Sequence, residues 1–187
     1  VLLVKLLEKT LLTENYADEI TAILTRYPQK RSAVLPLMYL AQEEYGYMSK
    51  EAMRDVAAVL DMDPTEVLSL AGFYTLFYEE PVGKYVLEIC NDLPCALRGA
   101  DEFVEKACDK LGVTAGGTTG DGMFTVKTVM CLAACDKAPM LQVNLKYEEN
   151  LDEEKFDALI SRLREEAIRG EVSCHGVEAL KESFKQD

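Results

Sequence analysis

Basic charge is scarce in this chain. Twenty Lys and Arg stand against 33 Asp and Glu, a formal net charge of −13 over 187 residues. Nucleic-acid phosphates are held by clustered Lys and Arg, so the balance argues against DNA or RNA as a partner. It argues equally against adsorption to an anionic lipid surface. Long apolar runs are missing as well. Apolar residues make up 49% of the chain, yet no stretch nears the roughly 18–20 uninterrupted residues that cross a bilayer. The opening "VLLVKLLEKTLL" carries charges and has no small-residue cleavage site, so it does not read as a secretory signal. The first residue is Val1 rather than an initiator Met, which leaves room for a processed presequence. Histidine is nearly absent, with His175 alone.

What is present falls into two textures. Up to about residue 80 the chain reads as helices. "TENYADEITAILTRYP" offers Thr13 as N-cap and Pro28 as its end. "RSAVLPLMYLAQEEYGY" follows, with Ser32 able to cap and Pro36 tolerable only near a helix start. "SKEAMRDVAAVLD" starts at Ser49 and puts Met53, Val56, Ala57 and Leu60 on one face. "DPTEVLSLAGFYTLF" has Asp63 as N-cap, Pro64 at the first helical position and Glu66 in capping-box spacing.

From residue 81 the pattern changes. "PVGKY" reads as a connector and "KYVLEIC" as a strand. "ALRGADEFVEKACDKLG" reads as one helix ending at Gly112, and "TAGGTTGDG" as a turn-rich loop. "MFTVKTVMC" alternates with period 2, "APMLQVN" is a further strand, and "LKYEEN" pairs back as a hairpin. "DEEKFDALISRLREEAI" is an amphipathic helix with Phe156, Leu159, Ile160 and Leu163 inward. The expected class is α+β. An N-terminal helical bundle (1–80) precedes a thioredoxin-like α/β domain (81–170), and residues 171–187 form a weakly ordered tail.

The six cysteines are Cys90, Cys95, Cys108, Cys131, Cys135 and Cys174. Without a secretory signal a disulfide framework is disfavoured, and paired spacings point to metal or redox chemistry. "ICNDLPC" is C-x4-C and "CLAAC" is C-x3-C, and each follows a strand. In a parallel βαβ unit both following loops lie at one sheet edge, so the two pairs converge. Four such thiolates suit a tetrahedral sulfur site or a two-iron, two-sulfide cluster. Zinc knuckles usually have a two-residue gap, although wider gaps occur. A four-iron C-x2-C-x2-C run is absent, and a Rieske centre needs two His. A redox dithiol would want C-x-x-C at a helix start. Spacing therefore favours an iron–sulfur site, with zinc and a structural or regulatory coincidence as the alternatives.

Three stretches carry a closer resemblance: "YPQKRSAVLPLMYLAQEEYGYMS", "FYTLFYEEPVGKYVLEIC" and "VMCLAACDKAPMLQVN". With about 35 residues between the cysteine pairs, the sequence resembles the thioredoxin-like [2Fe–2S] ferredoxin family, the E-type subunits of NADH:quinone oxidoreductase (respiratory complex I). The likeness runs from about residue 27 to about residue 165. It implies one [2Fe–2S] cluster ligated by Cys90, Cys95, Cys131 and Cys135. It implies a helical N-terminal region that packs on the flavoprotein subunit, with FMN and NADH on that partner and not on this chain. It implies a non-catalytic redox subunit of a translocase, in a peripheral arm with other subunits. That arm lies on the cytoplasmic side of a bacterial membrane, or the matrix side in mitochondria, without insertion. The same subunit type serves NAD-linked hydrogenases and formate dehydrogenases. One departure is specific. Relatives read Cys-Leu-Gly in the second loop, where this chain has Ala133; Gly there permits positive φ. Leu145 replaces a common acidic turn residue.

The remaining candidates have plainer readings. Cys108 lies at helical spacing with Val104 and Leu111 and reads as a small buried hydrophobe. Cys174 and His175 sit in the tail and read as incidental. "GGTTGDG" precedes a strand and matches no phosphate-loop pattern, so no nucleotide site is visible. Pro139 is a candidate cis-proline, by likeness to thioredoxin-like folds. The acidity has two readings: solubility, or tuning of an electron-transfer centre and match to a basic partner patch. Adding an electron to a cluster in so acidic a chain is expected to be hard, so the expected reduction potential is low.

Overall fold

The structure is a computed structural model and describes residues 10–172. Cys174, His175 and nearly all of the expected tail lie outside the described residues. Two units divide the chain, one ending at Pro81 and the other spanning Val82–Val172.

In the first unit each helix starts on a capping residue or a turn. Thr10, not Thr13, caps α1 (Leu11–Asn15). Thr10 and Thr13 complete a reciprocal capping box. Tyr16 breaks the run, so the single expected helix is two, and α2 follows at Ala17–Arg26. Ser32 does not cap either. A 3-10 turn at Lys30–Ala33 leads into α3 (Val34–Tyr45), which places Pro36 in the first turn, where its missing N–H costs nothing. Ser49 Oγ accepts the Ala52 N–H and starts α4 (Lys50–Leu60). Asp63 caps α5 (Pro64–Phe73) through the Thr65 N–H, while Glu66 turns outward to pair with Arg31.

These helices bury one cluster that includes Leu12, Ile20, Ile23, Leu37, Met38, Leu40, Val56 and Val67. Each such side chain contributes about 1.5–3 kcal/mol on burial. Gln42 is fully buried in that cluster's helix. Its amide donates to the Leu76 carbonyl at 2.9 Å and accepts the Tyr78 N–H at 2.8 Å, so it holds residues 76–78 against α3.

The second unit is a four-stranded mixed sheet ordered β2-β1-β3-β4. Its strands are β1 (Tyr85–Cys90), β2 (Phe124–Val129), β3 (Leu141–Val143) and β4 (Lys146–Glu148). β1 and β2 run parallel, with Cys90 opposite Val129. β3 is antiparallel to β1, and β4 to β3. The expected single helix after β1 is again two: α6 (Leu93–Ala96) and α7 (Ala100–Leu111). Gly99, at φ +90°, separates them, a conformation that a side chain resists. Asp152 caps α8 (Glu153–Arg169) through the Lys155 N–H.

Strand alternation sorts the sheet's two faces. Tyr85, Leu87, Ile89, Phe124, Val126, Leu141 and Val143 pack with Phe103, Ala107 and Cys108 of α7 and Phe156, Leu159 and Leu163 of α8. Cys108 is thus a core residue. The opposite face carries a polar row across all four strands: Lys127, Glu88, Gln142 and Tyr147, each directly opposite the next. The glycine-rich segment is a turn. It closes on β2 through a Thr118–Thr125 bridge.

Candidate iron–sulfur site

Both cysteine loops leave the same end of the sheet, because β1 and β2 are parallel. Cys90 ends β1, an interior strand of the sheet, and is 1% exposed. Asp92 then caps α6 through the Leu93 N–H, with Pro94 in the first turn, and the short helix turns Cys95 inward. Cys95 is also 1% exposed. Around them close Ala100, Ala138 and Met140, with Leu132, Ala134 and Cys135 partly buried.

The second loop follows the edge strand β2, and it is more open. Cys131 is exposed and Cys135 half-buried. Ala133 adopts φ +59°, so the position does require the left-handed conformation, and here an alanine holds it. In that conformation the Ala133 N–H points back at Cys131 Sγ, at 3.3 Å. Cys135 opens a 3-10 turn to Lys137, and the Ala138–Pro139 peptide is cis, a state that the sequence left open between cis and trans.

The loops are tied from several sides. Cys90 Sγ donates to the Met130 carbonyl at 3.6 Å. The Asn91 N–H continues the parallel ladder to the Val129 carbonyl at 3.2 Å. Arg98 lies between α6 and α7, and its Nε donates to the Ala138 carbonyl at 3.2 Å. Tyr147 Oη donates to the Leu132 carbonyl at 2.7 Å. Sequence reasoning passed over Tyr147, and the only signal was its place on the hairpin that pairs back toward the loop. Lys127 is opposite Glu88, whose carboxyl burial pushes up against the opposing pull of Lys127 and a hydrogen bond from Gln142. Lys137 pairs loosely with Asp136 at 3.7 Å.

Cys95 interacts with Cys90 of its own loop and, across the loops, with Cys135. Burial first, then hydrogen bonds and charge from Cys90 and Cys135, pushes the Cys95 thiol up to about 12. The meeting is pairwise. Among the described residues no three His, Cys, Asp or Glu side chains gather as a metal-binding group, and Cys131 faces outward. Four soft sulfur donors in two pairs fit a two-iron cluster, which takes two sulfurs on each iron. An incoming metal would deprotonate these thiols outright, which offsets the cost that burial places on the Cys95 thiolate. Exposed apolar side chains Leu93, Leu97 and Met130 surround the loops.

The geometry describes an α+β protein with a sulfur-rich site at the end of two parallel strands. Its fold recurs in a solved NAD+-reducing [NiFe]-hydrogenase. That structure matches at TM-score 0.61 with 21% identity, over 70% of this chain and 23% of that one. Sequence relatives are closer. The chain is 41% identical to the E 2 subunit of NADH-quinone oxidoreductase from Rhizobium meliloti (strain 1021), over 79% of this chain and 88% of that protein. It is 36% identical to NADH-quinone oxidoreductase subunit 2 of Thermus thermophilus, over 81% and 85%. Against the E subunit of the Mycobacterium bovis NADH-quinone oxidoreductase, identity is 37%, over 81% of this chain but only 62% of the longer relative. Residues 20–164 match the thioredoxin-like [2Fe-2S] ferredoxin family, and the chain belongs to that family.

Proposed function

We propose that this chain is the electron-transfer subunit of an NADH dehydrogenase module. In this reading Cys90, Cys95, Cys131 and Cys135 hold one [2Fe–2S] cluster. Bound there, the cluster supplies one-electron exchange with the flavin of a partner subunit, which also binds NADH. The observation that carries the reading is the pairing of Cys95 with Cys90 and, across the loops, with Cys135, in loops that follow adjacent parallel strands. The rest of the site serves it. Burial of Cys90 and Cys95 keeps water from two ligands, and the Ala133 N–H offers Cys131 a donor that favours added negative charge. Exposure of Cys131 and the apolar rim of Leu93, Leu97 and Met130 open one side to a redox partner.

The chain would then sit in the peripheral arm of a multisubunit oxidoreductase, on the cytoplasmic or matrix side. Among the described residues no helix is long and apolar enough to cross a membrane. A hydrogenase or formate dehydrogenase assembly uses the same chemistry, and the subunit list of the purified complex separates these parents. The test is absorption and EPR spectroscopy of anaerobically purified complex, with iron and sulfide counts. Cys131→Ser should abolish or alter the axial or rhombic signal of the reduced cluster, and Cys108→Ser should leave it intact. A colourless protein with stoichiometric zinc would overturn the reading.

A further inference from the structure

One peptide unit in the second loop is engaged at both ends. Its carbonyl, on Leu132, accepts Tyr147 Oη at 2.7 Å. Its N–H, on Ala133, donates to Cys131 Sγ at 3.3 Å. The chain of donors therefore runs from the tyrosine hydroxyl through one amide to the sulfur. A hydrogen bond accepted at a carbonyl polarises its amide and strengthens the bond that the same amide's N–H donates.

We infer that Tyr147 is a positioning residue that sets the electron affinity of the site through the Leu132–Ala133 peptide and Cys131. The inference rests on the functional reading above, in which Cys131 is a ligand. Three observations support it. Tyr147 is at the end of the cross-strand row Lys127–Glu88–Gln142–Tyr147, so the sheet fixes where its ring stands. Gln142, directly opposite it, is buried and itself held by Glu88 at 3.0 Å. Ala133 is in the left-handed region at φ +59°, which L-residues with a Cβ enter only under strain. A tether on the adjoining carbonyl opposes relaxation out of that region, and relaxation would turn the N–H away from the sulfur. An alanine at this position, where a glycine would be free of strain, gives the tether more to hold.

The direction follows from charge. Donors aimed at sulfur favour the more negative, reduced state, so they raise the reduction potential. Removing the hydroxyl weakens the Ala133 donor and lowers it. Tyr147 is 48% exposed, so loss of its hydroxyl opens no cavity in the core.

The experiment is a dithionite titration of the purified complex, followed by EPR, on three proteins: the parent, Tyr147→Phe, and the parent with 3-fluorotyrosine placed at 147. EPR reads only loaded molecules, so partial loading does not blur the potential. Tyr147→Phe should weaken electron affinity roughly threefold, which is about 30 mV downward at 59 mV per tenfold for one electron. The fluorinated ring keeps the shape but has a more acidic hydroxyl, and should move the potential upward. A purely packing role for Tyr147 would not give opposite signs. Equal potentials in all three loaded proteins would overturn the inference and leave the cluster reading intact. Absence of any cluster signal in the parent would sink the functional reading, and this inference with it.

Discussion

Asn144 Oδ1 accepts the Val86 N–H at 2.9 Å, and the same side chain donates from Nδ2 to the Lys84 carbonyl at 3.1 Å. The β1–β3 pairing thus runs beyond Leu87–Val143, where the Asn144 N–H donates to the Val86 carbonyl at 3.3 Å and the side chain adds its two bonds. Val86 is 1% exposed, so water is a poor substitute. Leaving a buried donor without its acceptor costs about 1–3 kcal/mol. Asn144→Ala should lower the unfolding free energy by that amount in a urea titration. A midpoint equal to the parent's would show that the side chain carries no sheet energy.

Asn144 and Leu145 form the two-residue turn between β3 and β4, at φ +42° and +75°. Two-residue hairpins of this kind favour Asn-Gly, because the second residue needs positive φ. Leu145 is 38% exposed and stands outside the sheet's buried cluster. Relief of the left-handed strain outweighs the added freedom of glycine in the unfolded chain. Leu145→Gly should therefore stabilise the protein by about 0.5–1 kcal/mol, read as a higher melting temperature. A lower melting temperature would mean that the leucine packs more than its exposure indicates.

Gly83 lies against β2 with no room for a side chain. A Cβ there would come within 2.8 Å of the Phe124 carbonyl carbon and 2.9 Å of the Phe124 and Thr125 amide nitrogens. The Gly83 N–H also donates to Thr125 Oγ1 at 2.6 Å, which pins it in place. All three obstacles are backbone atoms of a paired strand, so no rotamer change relieves the clash. Gly83→Ala should destabilise by about 1–3 kcal/mol, the range for overpacking, measured by denaturant midpoint.

Asp121 accepts from Thr119 Oγ1 and the Met123 N–H, and Arg164 Nη1 of α8 donates to its other oxygen at 2.8 Å. The Thr119 hydroxyl, then the Arg164 guanidinium, hold this carboxyl well below the usual carboxylate range. For a depressed acid the stabilisation is present above the unfolded value of about 3.8 and is lost as pH falls toward the folded value. Asp121→Asn removes that contribution. The stability gap between parent and variant should be full near neutral pH and should close as pH drops below about 4. A gap independent of pH would assign the effect to shape rather than charge.

Local signals in the sequence were readable where one residue type does one job. Asp63 followed by Pro64 marks a helix start unambiguously, and Ser49 does so nearly as well. The two cysteine loops were visible because each follows an apolar strand. Thr10 was overlooked because Thr13, three residues on, has the same chemistry, and only the folded turn shows which hydroxyl caps. Gly99 does not announce the break, because an isolated glycine inside a helical pattern is tolerated. Burial of the sulfurs was not legible at all. Cys90 is hidden and Cys131 exposed because β1 is central and β2 is at the edge, and strand order is a property of the whole sheet.

Parallel register has a consequence for the proposed cluster site. Cys90 is aligned with Val129, so Cys131 lies two residues past its neighbour's end. A slip of one residue would carry the second loop about 3.3 Å along the strand and send its side chains to the opposite face. Apolar alternation in Phe124, Val126, Leu87 and Ile89 forbids that slip, since it would turn the core outward. The greasy interior thus works as a caliper. Fold fidelity and the spacing of the cysteine loops are a single quantity here, and an error in one is an error in the other.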